Sequence, residues 1–424
     1  MRKAVIFDLD GTLTRSEEGI WRSVEYAADA LGFPRPDAET LRRFIGPPLD
    51  YSFRTYMGMS AEDAARAVAA YRVRYNDVGL FENRVYPGIR RLLRMLRRAG
   101  VWCAIATGKP QEPSERIVRH FLLDGFFDRV VGTDGVKADK RELIGRALPD
   151  TFDEAWMIGD RRFDIEGGRA AGIRTIGVGY GYGSEEELRD ARCDVYCPAV
   201  QDVIDTLCPG EEPPMGAFLT MEGLDGSGKT TQLALLTGAL DRFGFEVTHS
   251  REPGGCMVSE KIRDLLLDRA NVGMTAQTEA LLYAAARAQH VREVIVPAMR
   301  QGRVVLCDRY VDSSVAYQGG GRELGVDTVL AMNAPATGGV MPLATVYLDI
   351  RHEDALRRRV AASEPDRIEM EAERFHARVE GAYRELIARD PERFVVVDAT
   401  LAPEEIGGEA ARQVIARLAE AEHG

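Results

Sequence analysis

No apolar run in this 424-residue chain reaches the ~18 residues that a membrane span requires. The N-terminus, Met1-Arg-Lys-Ala-Val-Ile-Phe7, meets aspartates too early to build the apolar stretch of a signal peptide. Basic charge is in deficit: 55 Lys and Arg face 67 Asp and Glu, for a net charge of −12 and a pI near 5.2. That balance argues against nucleic acid or an anionic membrane as the main partner, while leaving room for a local basic pocket around a phosphorylated small molecule. Cysteine is sparse, with six residues at 103, 193, 197, 208, 256 and 307. Cys193 and Cys197 lie close in sequence but have no second pair and no nearby histidine, so they do not read as a metal site. The remaining composition, 45% hydrophobic and 29% charged, is that of an ordinary soluble globular protein. A cytosolic, reduced protein is expected, with two or three domains at about 150 residues each.

The chain divides at Cys208-Pro-Gly-Glu-Glu-Pro-Pro-Met-Gly216, where three prolines, two glycines and the lack of apolar periodicity mark a linker. The expected domains are 1–207 and 217–424, joined by 208–216, with no internal repeat relating them. In the first half, short apolar runs at Lys3–Phe7, Trp102–Ala106, Arg129–Gly132, Ala155–Ile158 and Thr175–Val178 alternate with helical patterns, predicting a parallel sheet covered on both faces. An insert over about 16–83 reads helical (Trp21–Leu31, Asp37–Phe44, Ala61–Tyr75) and falls just after the first strand. It is placed to cap the carboxyl edge of the sheet. The second half predicts strands at Ala217–Met221, Glu246–Ser250, Val304–Cys307, Thr345–Asp349 and Phe394–Asp398, with helices between them. The fold class is therefore α/β, with two doubly wound parallel-sheet domains.

The densest signal is Gly223-Leu-Asp-Gly-Ser-Gly228-Lys229-Thr230-Thr231, between an apolar strand and a helical pattern from Gln232 to Arg242. Glycines let successive backbone N–H groups point into one concavity at the positive end of a helix. Lys229 reaches for the outer phosphates and the Thr230 hydroxyl is placed for Mg²⁺. A glycine-rich turn that binds nothing is the alternative; the full spacing and the strand–loop–helix setting favour a nucleotide.

In the first half, Asp8-Leu-Asp10-Gly-Thr12 follows the first strand, placing two carboxylates in one pocket, one suited to act as nucleophile and the other as general acid/base. Gly159-Asp160-Arg-Arg-Phe-Asp164 follows another strand and adds carboxylates that can hold Mg²⁺. Thr107 supplies a hydroxyl, and Lys140 opens a helix with a cation. Together these are the parts for phosphoryl transfer through an aspartyl phosphate. On these motifs, with Gly-Pro-Pro at 46–48, Tyr86-Pro-Gly-Ile and Val178-Gly-Tyr-Gly-Tyr-Gly-Ser-Glu-Glu-Glu-Leu188, residues 1–205 resemble the haloacid dehalogenase superfamily, in its phosphoglycolate phosphatase-like branch. The resemblance implies a Rossmann-like core with a helical cap. It makes Asp8 the nucleophile, Asp10 the acid/base, and Thr107 and Lys140 the phosphoryl-binding pair. The Mg²⁺ site would be Asp8, the carbonyl of Asp10, Asp160 and Asp164. Lys137 is a neighbouring lysine, but the sequence around Lys140 fits the motif better. The same motifs would also stand in a domain that serves only as a regulatory or oligomerisation module.

The second half continues with Arg251-Glu-Pro-Gly-Gly255, Tyr283-Ala-Ala-Ala-Arg287, Asp308-Arg309-Tyr310-Val-Asp-Ser-Ser314-Val-Ala-Tyr317-Gln318, and Asp366-Arg367-Ile-Glu. Asp308 ends a strand beside the phosphate loop, where it can serve Mg²⁺. Arginines at 251, 287, 309, 359 and 367 suit two phosphorylated substrates facing one another, while Arg357 and Arg358 read as surface ion pairs. No Asn-Lys-x-Asp signature occurs, which discounts a GTPase. These segments resemble bacterial thymidylate kinase over 216–420, implying a P-loop nucleoside monophosphate kinase fold with ATP and Mg²⁺. On that resemblance the phosphate-loop residues Gly223, Leu224, Asp225, Gly226, Ser227, Gly228, Lys229, Thr230 and Thr231 bind ATP. Asp225 also meets the 3′-hydroxyl of dTMP, Arg251 and Arg309 hold its phosphate, and Tyr283 stacks on thymine. Arg287 and Gln318 would read the polar edge of thymine, Ser314 would also belong to the dTMP site, and Tyr317 would crowd the 2′ position of the sugar. Lys229, Arg309 and the lid residue Arg367 would carry catalysis. Two departures, Ala286 in place of a common aspartate and a lid without its extra arginine, bear on rate rather than reaction. The expectation is a fused enzyme whose partners are ATP, dTMP and a small phosphomonoester, with no nucleic acid and no membrane. The homodimer common among thymidylate kinases is implied by resemblance alone, and a broader nucleoside monophosphate kinase is the runner-up.

Overall fold

A computed structural model describes residues 2–134, 139–360, 371 and 373–423. The chain forms two compact units, the first built on Met1–Glu211 and the second on Glu212–Asp241 with Phe245–Glu422.

Among the described residues the first unit contains six parallel strands: β1 (Lys3–Phe7), β2 (Trp102–Pro110), β3 (Arg129–Thr133), β4 (Glu154–Gly159), β5 (Arg174–Val178) and β6 (Val195–Cys197). Their order is β3-β2-β1-β4-β5-β6. Along β1, Val5 and Phe7 join one buried apolar cluster while Ala4 and Ile6 join another. This is the period-2 signature of a strand covered on both faces, as the continuous apolar run predicts. The sheet changes direction at β1, flanked by β2 on one side and β4 on the other, with Phe7 opposite Ile158. Ligands bind at such switch points, beyond the carboxyl ends of the strands. The edge strand β6 was not expected from sequence; three residues are too few for alternation to declare itself.

The insert is helical, with helices at Glu17–Leu31, Ala38–Arg42, Leu49–Met57 and Ala61–Arg74. Two begin on side-chain caps: Asp37 accepts from the Thr40 N–H at 2.8 Å and Ser60 from the Asp63 N–H at 3.0 Å. Aromatic rings fill its interior, Phe44 edge-on to Phe53 at 5.0 Å and Tyr71 stacked on Tyr75 at 5.1 Å.

The second unit has five parallel strands: β7 (Phe218–Gly223), β8 (Val247–Arg251), β9 (Val304–Asp308), β10 (Ala344–Asp349) and β11 (Phe394–Asp398), ordered β11-β10-β7-β9-β8. Central β7 is buried throughout and runs into the glycine-rich loop, which feeds the helix Lys229–Arg242. Met221 pairs with Asp308 across β7 and β9, so the carboxylate ending β9 comes beside the loop. No described helix is long and apolar enough to cross a membrane.

Candidate active sites

In the first unit, the chain leaves β1 at Asp8, whose N–H donates to the Ile158 carbonyl at 2.9 Å, so the β1 and β4 ends stay in register. The carboxylates of Asp8, Asp160 and Asp164 are buried and each offers an oxygen within 4.8 Å of the others. Two glycines make this approach possible. A Cβ on Gly11 (φ +85°) would stand 2.2 Å from Asp160 Oδ2, and one on Gly159 would stand 2.2 Å from Asp164 Cβ. Lys140, first residue of the helix Lys140–Ala147, places Nζ 2.6 Å from both Asp8 Oδ1 and Asp164 Oδ1. Burial, reinforced by Asp164 and Asp10, pushes Asp8 up to about 7 against the pull of Lys140. Burial together with Asp164 and Asp8 lifts Asp160 to about 8, against the Tyr182 N–H that donates to it. Burial opposes the charge on Lys140, yet Asp164 and Asp8 hold its ammonium above the ordinary lysine range. Three hard oxygen donors around one point suit a divalent cation such as Mg²⁺.

The Asp10 side chain stands apart from that trio. Its Oδ2 is paired with Lys109 Nζ at 3.1 Å, and its Oδ1 is buried with no hydrogen-bond partner. Lys109 also donates to the Tyr75 hydroxyl at 2.6 Å, tying the end of β2 to the helical insert. Thr107 is buried within β2, and its hydroxyl oxygen accepts the Lys109 N–H at 3.3 Å. The sequence alone gives Lys109 no role; its partner Tyr75 sits on the insert. Lys137 lies outside the described residues.

In the second unit a cavity of about 470 Å³ is lined by the phosphate loop at one end and by Arg251, Tyr283, Arg287, Ser314, Tyr317 and Gln318 at the other. The loop turns through left-handed glycines at 226 (φ +88°) and 228 (φ +97°). Lys229 folds back to donate to the carbonyls of Gly223 (3.0 Å) and Leu224 (2.9 Å). Burial and the neighbouring Arg309 lower its ammonium to about 8. Thr230 and Thr231 are exposed on the first turn of the helix, whereas Ser227 is buried. Asp308 Oδ1 is buried without a partner among the described residues, an oxygen of the kind that suits Mg²⁺, and it lines the same cavity as Thr230.

Arg309, Asp225 and Tyr317 form one cluster. Arg309 ion-pairs with Asp225 Oδ1 and the Tyr317 hydroxyl donates to Asp225 Oδ2 at 2.9 Å. Burial alone would raise Asp225, but Arg309, Lys229 and the Tyr317 hydroxyl hold it well below the usual carboxylate range. Arg309 takes a left-handed backbone (φ +68°). Glu222 braces the turn: it accepts from the Tyr310 N–H (2.7 Å), the Ser313 hydroxyl (2.6 Å) and the Tyr383 hydroxyl (2.8 Å). Burial, then the nearby Asp312, push Glu222 up to about 7 despite Arg309 and these donors.

Arg287 is buried and donates to Glu252 (2.8 Å), Asn333, the Tyr310 carbonyl (3.0 Å) and Ser314 Oγ (3.0 Å). Glu252 also meets His290 Nδ1 at 2.9 Å. Arg251 is exposed and paired with Glu260 at 3.0 Å. Of the arginines expected on the surface, Arg357 pairs with Asp354, while Arg358 is exposed but reaches the cavity rim and donates to the Ala399 carbonyl at 2.9 Å. Arg367 and the side chain of Arg359 lie outside the described residues.

Residues 221–409 match the family model "Thymidylate kinase". The chain is 48% identical over 207 residues to a thymidylate kinase of Pelobacter propionicus, an alignment covering 47% of this chain and 94% of that protein. The chain belongs to the thymidylate kinase family. A thymidylate kinase of Lacticaseibacillus casei is 51% identical over 189 residues, 44% of this chain and 88% of the relative. Residues 5–178 match the model "Haloacid dehalogenase-like hydrolase". A haloacid dehalogenase-like family hydrolase from Streptococcus pneumoniae aligns at 32% identity with a TM-score of 0.45, covering 48% of this chain and 98% of that one. By the two family models, a haloacid dehalogenase-like hydrolase domain precedes the thymidylate kinase domain in this chain. In the thymidylate kinase domain the cavity gathers all the expected nucleoside-side residues and the tip of the phosphate loop. The buried carboxylates Glu222, Glu252 and Glu279 went unassigned in the sequence. Glu252 lies inside the Arg251–Gly255 motif and Glu222 immediately before the phosphate loop, but their partners are scattered along the chain.

Proposed function

We propose that the kinase half transfers the γ-phosphoryl group of ATP to dTMP, giving dTDP, and that the first half hydrolyses a small phosphomonoester through a phospho-Asp8 intermediate. One observation carries the kinase reading: a single cavity joins Lys229 and Asp308 at one end to Tyr283, Arg287 and Gln318 at the other. The loop end suits ATP phosphates, cradled by backbone N–H groups and Lys229. Tyr283 gives a stacking face for thymine, Arg251 and Arg309 flank the acceptor phosphate, Asp225 meets the 3′-hydroxyl, and Tyr317 excludes a 2′-hydroxyl. Arg309 and Arg367 would neutralise the charge that develops as phosphorus passes between two oxygens; positioning and electrostatics suffice for this chemistry. Thr230 and Asp308 are the residues that would hold Mg²⁺.

In the first half, Asp8 attacks phosphorus, Asp10 protonates the leaving oxygen and then takes a proton from the hydrolytic water, and Thr107 and Lys140 hold the phosphoryl oxygens. Asp8, Asp160, Asp164 and the Asp10 carbonyl are the groups that would hold Mg²⁺, which would supply charge neutralisation for the phosphoryl oxygens. Candidate substrates are 2-phosphoglycolate-like acids or a nucleotide.

The test is a crossed pair in the full chain. Lys229→Ala abolishes dTDP formation and leaves phosphate release intact; Asp8→Asn does the reverse. Phosphate release is assayed on 2-phosphoglycolate, pyrophosphate, dUMP and dTMP. A kinase surviving Lys229→Ala, or phosphate release unchanged by Asp8→Asn, overturns the corresponding half.

A further inference from the structure

Gln318 lines the kinase cavity. Its side chain is 1% exposed. Nε2 donates to Glu279 Oε1 at 2.9 Å, while Oε1 is buried with no hydrogen-bond partner among the described residues. Glu279 is itself 1% exposed, and Arg322 grips both its oxygens, Nε to Oε1 and a terminal nitrogen to Oε2, each at 3.2 Å. Arg322 is held in turn by Glu371 and lies 4.9 Å over the Phe375 ring. An ion-paired carboxylate only accepts hydrogen bonds, so the amide nitrogen of Gln318 must face Glu279 and its oxygen must face away.

We propose that Glu279, which does not line the cavity, is the positioning residue that sets base specificity in the kinase half. By pinning Nε2 it fixes the Gln318 amide with its acceptor oxygen turned away from Glu279. Beside it, four of the five N–H groups of Arg287 are engaged by Glu252, Asn333, the Tyr310 carbonyl and Ser314, leaving one donor. One fixed acceptor next to one fixed donor matches a pyrimidine imide, whose ring N–H adjoins a carbonyl, as in thymine and uracil. Cytosine presents the inverse: a ring acceptor meets the Gln318 oxygen and an exocyclic amine meets Arg287, leaving buried groups unpaired. Released from Glu279, the Gln318 amide turns over and accommodates either pattern. This inference rests on reading the cavity as the dTMP site.

The test uses the full chain with ATP and compares kcat/KM for dTMP, dUMP and dCMP in wild type, Glu279→Gln, and the double variant Glu279→Leu/Arg322→Met. The first variant keeps the side-chain size but can donate as well as accept. The second removes the buried ion pair as a unit, so that no guanidinium is left unpaired. The expected result is a fall of at least tenfold in the dTMP:dCMP ratio in both variants, with an absolute gain for dCMP, and an unchanged KM for ATP. A packing role alone would lower all three nucleotides together and keep the ratio; that result overturns the inference while leaving the dTMP site standing. A wild-type enzyme indifferent to dTMP and dCMP overturns the site reading, and this inference with it.

Discussion

Arg309 and Asp225 neutralise one another across the kinase cavity, with the Tyr317 hydroxyl closing the cluster. The Arg309 guanidinium, proposed above to hold the acceptor phosphate, is therefore already oriented by the Asp225 carboxylate, proposed to meet the sugar. Preorganised charge of this kind is worth most in a site that excludes water.

Replacing Arg309 by Met removes that charge and leaves the half-buried Asp225 carboxylate with Lys229 as its nearby cation. We expect kcat/KM for dTMP to fall by about 10²–10³-fold, the usual cost of deleting one preorganised transition-state contact. Phosphate release by the first half should be unaffected. Steady-state kinetics of both activities on the same preparation checks this; a loss under tenfold would remove Arg309 from the catalytic set.

Gly11→Ala tests the carboxylate site by space alone. The new methyl group would lie 2.2 Å from Asp160 Oδ2 in a left-handed backbone, so Asp160 must move out of the group with Asp8 and Asp164. Phosphatase turnover should drop to the level of Asp8→Asn while dTDP formation persists. Retained turnover would mean that Asp160 is not needed at its observed place.

The raised carboxylates give the first half a pH signature. Asp8 near 7 and Asp160 near 8 keep protons that unfolded carboxylates lose near pH 4. The metal-free folded state thus binds more protons than the unfolded one over that interval. Its stability is full below about pH 4 and declines as pH rises through 7 to 8. The metal-free thermal midpoint of this half should therefore fall between pH 6 and 8.5, with Asp8→Asn flattening the slope. Mg²⁺, which must displace those protons, should stabilise more at pH 8 than at pH 6. A midpoint independent of pH without metal would contradict the arrangement.

Much of this was legible in the sequence because the chemistry sits where strands end. Asp8 after β1, Asp160 after β4, Asp308 at the end of β9 and the loop after β7 were all placed by short apolar runs meeting polar turns. The runs were found within a few residues of their observed bounds, as at Lys3–Phe7 and Phe394–Asp398. What escaped were residues whose meaning lies in a distant partner. Lys109 acquires its role from Tyr75 and Asp10, Glu222 from Tyr383 over 161 positions, and Glu279 from Gln318 and Arg322. A buried carboxylate within a helix or strand carries no period or motif of its own; only folding reveals what it holds. The edge strand β6 escaped for a simpler reason, being three residues long.

The left-handed backbone at Arg309 also bears on how this enzyme can change over generations. A side-chain-bearing residue there costs about 1 kcal/mol or more relative to glycine. Random substitution by glycine would relax the turn and at the same time disarm the cavity. Drift towards a sturdier chain and selection for turnover pull this one position in opposite directions, so a thermostable variant bearing glycine at 309 would have traded away the reaction for its robustness.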